Sequence, residues 1–325
     1  DTFLSLIKTQ KYMSDAIKIA KNLITPMTEL QITSTIRYLH FNNLIKILEL
    51  DKPQSGGADD DIVIGEIYDF AQQQHGGEAT YLPYPINYNK LENYEGTTTT
   101  IGIIMNEMIG YPTELCLLAL YGKLFSVPAL TDMAAICAAC ENKIDSLFIN
   151  MPQNKLELIT EKFPDAIAHY SDHLFAYFIM VNHFERNKNM EYLNVKVFEK
   201  ATEIKNTLTK ALDRINEQKI TNIIEKYYKP LEATQFIDNF YFGLQTAFKF
   251  NTIEMTDSID KIEYKTKYYK EPTTAAVSFQ FKPSIQSNEA NEHNTGICSG
   301  VINIMNKTFY QFCTLIPNKY ISLIL

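Results

Sequence analysis

His169, Asp172 and His173 are the residues whose types and spacing best suit chemistry in this chain. A spacing of four places the two imidazoles on one face of a helix with a carboxylate beside them, a set that can bind a metal ion. His183 falls on a different face, and no Glu stands where a helical zinc-protease motif needs its general base. The preferred reading is partly buried histidines at the polar edge of an apolar helix. Cys137 and Cys140 form a CxxC, which as a metal or redox motif needs a second ligand pair or a strand-to-helix context. It lies in a run of small apolar residues from Met133, so close helix packing is the simpler expectation.

Other chemical signals are weaker. Asp59, Asp60 and Asp61 invite comparison with the aspartate-rich magnesium sites of helical isoprenoid synthases. Ile64 and Gly65 stand where a further carboxylate is needed, so the acidic start of a helix at Ile62 is the better account. Gly56-Gly57 and Gly76-Gly77 are followed by no Lys-Ser/Thr and read as turns. No nucleophile signature of the Ser/His/Asp or Cys/His kind is visible, and no cofactor motif, so neither catalysis nor a cofactor is expected. Asn306-Lys307-Thr308 fits a glycosylation sequon but follows no secretion signal, and Asp1, which is not a Met, points to a fragment or processed product.

The elements that must carry these residues are mostly helical. The chain has 325 residues, 46% hydrophobic and 21% charged, enough for a large core in a single mostly helical subunit over 1–325. Amphipathic spacing predicts a first segment from Phe3 to Pro26 and a second from Leu30 to Leu50. Pro112-Thr113 opens a third, Pro128 punctuates the next, and stretches near 165–187 and 231–250 follow. The longest helix is predicted over about 195–228, on the stripe Val197, Ala201, Ile204, Leu208, Ala211 and Ile215. One minor strand is expected near 275–282, where Val277, Phe279 and Phe281 alternate with Ser278, Gln280 and Lys282.

Polar connections are predicted at 51–61, 75–100 and 283–296, long enough to serve as interface or protruding regions. Within the second lies Tyr81-Leu-Pro-Tyr-Pro-Ile-Asn-Tyr88, stiffened by proline and rich in contact area. Tyr81, Tyr84 and Tyr88, with Val277, Phe279 and Phe281, are therefore the candidate interface residues. A strand that cannot pair with itself needs a partner in this chain or another.

Charge narrows the partners. The net charge is −8, and only Arg37, Arg186 and Arg214 among 30 basic residues are arginine. Arginine is the fork-shaped donor that grips phosphate, so close neutralisation of nucleic acid is not expected. The five cysteines, odd in number and mostly in apolar runs, read as reduced thiols in a cytosol-like compartment. No apolar run reaches bilayer-spanning length, so no membrane partner is expected.

In size, helical pattern, lack of enzyme motifs and AT-rich residue usage (38 Ile against 7 Val), the chain resembles the capsid proteins of partitivirus-type double-stranded RNA viruses, among them the cryspoviruses of Cryptosporidium. The resemblance covers the whole chain in character and rests on no diagnostic motif. It implies a homodimer-forming subunit that assembles into a closed icosahedral shell. Such a shell holds double-stranded RNA weakly and without sequence preference, together with the viral polymerase. It also implies location in the virion and the host cell cytoplasm. The first alternative is a nucleoprotein of a negative-strand RNA virus, clamping single-stranded RNA in a basic groove, against which scarce arginine and acidic balance count. Others are a helical metal-dependent enzyme built around His169, Asp172 and His173, and a host adaptor.

Overall fold

A computed structural model describes residues 2–10, 12–42, 44–49, 94–108, 110–141, 143–150, 171–181, 192–215, 218, 236–256, 263–266, 274–277, 295–304 and 307–317. The protein is mainly α-helical, as its periodicity predicts. The sequence reading treats 1–325 as one subunit; the chain gathers into two compact units, residues 1–113 with 215–231 and residues 114–214 with 232–325.

In the first unit α1 (Thr2–Thr9), α2 (Met13–Lys21) and α3 (Glu29–Phe41) precede β1 (Ile45–Glu49), β2 (Tyr94–Thr98) and α4 (Thr100–Glu107). The single segment expected over Phe3–Pro26 is thus two helices. Its break falls where Tyr12 leaves the helix to bridge Glu95 on the free side of β2. Thr28 starts α3 through a reciprocal capping box: its hydroxyl accepts from the Gln31 N–H at 3.2 Å and its own N–H donates to Gln31 Oε1 at 2.9 Å. Ile32, Ile36 and Leu39 form the buried stripe of α3.

The second expected segment ends early. Asn42 donates through Nδ2 to the Tyr38 carbonyl at 2.9 Å, the helix stops, and Ile45–Glu49 runs as a strand antiparallel to β2, with Ile45 opposite Thr98. Ile47 and Leu48, read as helical, belong to β1. Isoleucine there fits the pleat as well as the helix, and β-branched residues favour it. The loop expected over 75–100 ends sooner for the same reason, since 94–98 is β2 and Thr100 opens α4.

The second unit holds α5 (Thr113–Leu124), whose first residue falls to the first unit, then α6 (Pro128–Ala139), α7 (Asp172–Ile179), α8 (Val195–Asp213) and α9 (Phe236–Phe248). Pro112 precedes α5 and Pro128 is the first residue of α6, as predicted. From Ala129 to Cys137 every residue of α6 is buried, because α7, α8 and α9 pack around it. Gly243 lets α9 come close to α6: a Cβ there would lie 2.3 Å from Leu130 Cδ1.

α8 ends at Asp213, about 28 Å long at 1.5 Å per residue. Residues 219–228, which the sequence reading assigned to it, lie outside the described residues. Its buried stripe is Phe198, Ala201, Ile204, Leu208 and Leu212. Phe198 and Leu212 thus replace Val197 and Ala211 of the predicted stripe, because the larger side chains take the centre of the buried arc.

Beyond α9 the chain closes a five-stranded barrel in the order β3 (Thr252–Thr256), β4 (Glu263–Thr266), β5 (Thr274–Val277), β7 (Lys307–Ile316), β6 (Thr295–Ile304), with β6 returning to β3. Of the strand anticipated near 275–282, Thr274–Val277 forms β5 and 278–282 lie outside the described residues; four more strands join it, where at most a minor strand element is expected from the sequence. The two longest, β6 and β7, escape a period-two search. Ile297-Cys298-Ser299 and Tyr310 to Ile316 are continuously buried, so polar residues do not alternate with apolar ones. Of the loop expected over 283–296, Thr295 and Gly296 already belong to β6, and 283–294 lie outside the described residues.

Candidate functional site

Of the candidate interface residues, Val277 is the last residue of β5 and pairs in parallel with Tyr310, so its strand finds its partner within the chain. Tyr81, Tyr84, Tyr88, Phe279 and Phe281 lie outside the described residues, as do His169 and His183.

Asp172 and His173 open α7, and both are fully buried. The seam that holds them is built from two elements. Ser171 forms a β-bridge to Thr314, and its hydroxyl accepts from the Leu174 N–H at 3.1 Å, which caps α7. The Ser171 and Thr314 hydroxyl oxygens lie 2.7 Å apart, and Thr314 Oγ1 lies 2.8 Å from His173 Nδ1. One hydroxyl chain therefore links the cap of the helix to the ring. Asp172 Oδ2 accepts from the Cys313 backbone N–H at 2.9 Å. A carboxylate in the first turn also suits the positive end of the helix.

Among the described residues His173 Nε2 is buried with no hydrogen-bond partner. The ring lies among Phe312 and Phe248, with centroids 5.5 and 5.9 Å away. Burial pushes its pKa down to about 3, so the imidazole is neutral at physiological pH. Phe312 itself has φ of 50° inside β7, a left-handed conformation uncommon for a bulky residue.

Thiols surround this seam. Cys137 on α6 accepts a long hydrogen bond from the Ser299 hydroxyl at 3.9 Å, and the Cys298 thiol points to the Asn251 carbonyl at 3.6 Å. All five cysteines are buried thiols outside any disulfide. Burial raises Cys137 and Cys298 to about 12, with the charge of Asp172 adding to the rise at Cys137, and lifts Cys313 well above the usual thiol range. These are poor nucleophiles. Among the described residues no three His, Cys, Asp or Glu side chains come together to hold a metal ion.

The pair picked out as chemically suggestive in the sequence thus joins a helix to a strand edge. Its partners, Ser171, Cys313 and Thr314, carry no sequence signal of their own, because β7, which holds the last two, shows no polar–apolar alternation.

The surface offers a different feature. Ile24 is fully exposed and Leu30 is 72% exposed, with exposed Pro26 and half-buried Met27 between them, on the connection from α2 into α3. An ion pair, Lys21 to Glu29 at 2.8 Å, flanks this corner. In the second unit Ile149 and Val195 are also exposed, where the Ile149 N–H donates to the Tyr192 carbonyl at 2.8 Å and Phe148 bridges Leu193. Among the described residues no helix is long and apolar enough to cross a membrane.

No protein-family model matches the chain, and no curated protein matches it.

Proposed function

We propose that this protein is a structural subunit that associates with copies of itself, of the capsid type, building a closed icosahedral shell around double-stranded RNA. The observation that carries the reading is the apolar corner at Ile24 and Leu30. Large aliphatic side chains held in water, grouped within seven residues, are what a contact surface offers to a partner. The flanking Lys21 and Glu29 present both signs of charge, so a second copy of the same surface can meet it without like-charge conflict. The acidic balance of −8 and the three arginines fit an RNA that is enclosed and weakly held.

Size-exclusion chromatography and negative-stain microscopy test this. The wild-type chain is expected to run as dimers and larger closed particles, with nuclease-protected duplex RNA in those made in cells. The double substitution Ile24→Asp with Leu30→Asp alters only exposed side chains, so circular dichroism should be unchanged while assembly falls. Deletion of 81–88 should also leave a folded chain that assembles poorly. A wild-type monomer at high concentration would overturn the reading. RNA-dependent, salt-sensitive rings or filaments would replace the shell with a nucleoprotein.

A further inference from the structure

Cys298 and Cys313 stand directly opposite each other on the antiparallel strands β6 and β7. Their side chains therefore leave the same face, and both are buried. The Cys313 N–H donates to Asp172 Oδ2, so it points away from β6 and the two residues form a non-hydrogen-bonded pair. In such pairs the Cα atoms approach to about 4.5 Å, inside the range of about 4.4–6.8 Å that a disulfide spans. The next pair along, Ser299 and Phe312, makes no register contact, and Phe312 has the left-handed φ noted above. The ladder beside the two thiols is therefore already interrupted and can absorb a change in local twist. The Cys298 thiol now points to the Asn251 carbonyl, and a turn about its Cα–Cβ bond would bring it towards Cys313.

We propose that Cys298 and Cys313 are a modification site, closing to a disulfide that staples β6 to β7 when the protein meets a small-molecule disulfide as oxidant. When the strand pair opens to water, one protein thiol loses its proton and the thiolate attacks the small disulfide, forming a mixed disulfide and releasing a small thiolate that takes up a proton. The second protein thiol then loses its proton and attacks the protein sulfur of that intermediate, releasing the second small thiol. Two protein thiols are oxidised and one small disulfide is reduced to two thiols. Because both thiols are buried, the reaction waits on transient opening of the strand pair.

Mass spectrometry of non-reduced digests tests this on the full chain incubated with oxidised glutathione in urea below the unfolding transition. The expected product is a peptide joining Cys298 to Cys313, lighter by two hydrogen atoms and reversed by dithiothreitol, formed ahead of any other link. In an unfolded chain Cys137 and Cys140, only three residues apart, close the shorter loop and should react first. The folded register therefore predicts a different first product from chain statistics. A first link at Cys137–Cys140 or any other pair would overturn the proposal. Persistent glutathione adducts on Cys298 or Cys313, or both remaining thiols until the protein unfolds, would overturn it equally. With Cys298→Ala the wild-type link is replaced by a lasting adduct on Cys313; the wild-type digest decides the matter even where this variant folds poorly.

Discussion

His173 makes the protein's stability depend on pH in a window where few other groups titrate. In the unfolded chain its imidazole binds a proton with a pKa of about 6.5. In the folded chain burial among Phe312 and Phe248 holds that value near 3. The folded pKa is depressed, so between these values the unfolded state carries a proton that the native state does not. Stability is therefore full above pH 6.5 and falls as the pH drops towards 3, at up to about 1.4 kcal/mol per pH unit. Between pH 7 and pH 5 the loss integrates to about 2 kcal/mol.

Carboxylates titrate mainly below this range, and the other histidines contribute equally to a variant that lacks only this ring. The control is His173→Asn, whose short amide can still meet the Thr314 hydroxyl. Urea unfolding of both proteins at pH 7, 6 and 5 should show the wild type losing about 2 kcal/mol more than the variant across the range. Stability curves that run parallel would show that the ring is not held neutral, and the burial argument would fail.

Leu208 lies at the centre of the α8 stripe and is buried, so Leu208→Asp places a charge where water cannot reach it. The variant should lose more than about 4 kcal/mol and be recovered unfolded or insoluble, as circular dichroism would show. In the first unit, a Cβ at Gly102 would lie 2.1 Å from the Leu44 backbone carbonyl, so Gly102→Ala should cost at least about 2 kcal/mol in urea unfolding. Phe312 allows a sharper comparison, because glycine is ordinarily the worse choice within a strand but tolerates φ of 50°. Phe312→Gly should therefore be more stable than Phe312→Ala by about 1 kcal/mol, and the opposite order would remove the claim of strain.

Helices were legible wherever one face is dry and punctuation is explicit. Pro112 and Pro128 marked starts at the right places, and the spacing of Ala201, Ile204 and Leu208 located α8. The stripe was misjudged in phase because composition alone does not rank Phe198 above Val197. β1 was missed because Ile45-Lys46-Ile47 lies directly after a helix, with only asparagines to mark the change. The barrel was nearly invisible for a different reason. Alternation signals a sheet with one wet face, and Tyr310 to Ile316 has none. Within the seam, Asp172 and His173 stood out by type. Spacing along the chain cannot reveal that their partners lie 141 residues away.

The seam also explains why a strained residue sits in the longest strand run. β7 is paired with β6 on one side except at Phe312, but its other side changes neighbour. At Phe309 and Tyr310 that neighbour is β5; at Cys313 and Thr314 it is the start of α7, through Asp172 and Ser171. Phe312 lies between the two stretches. A strand that meets a helix terminus where a further strand would continue must redirect its N–H groups towards a side chain. A left-handed residue at the handover is one way to turn the backbone without shifting its register against β6. Asp172 then supplies the acceptor that a sixth strand would otherwise provide, leaving the Cys313 N–H satisfied in the core. On this argument the carboxylate, the hydroxyl chain and the left-handed phenylalanine are parts of one joint that closes an exposed strand edge, and so the group most suggestive of chemistry in the sequence serves to hold the barrel to its helices.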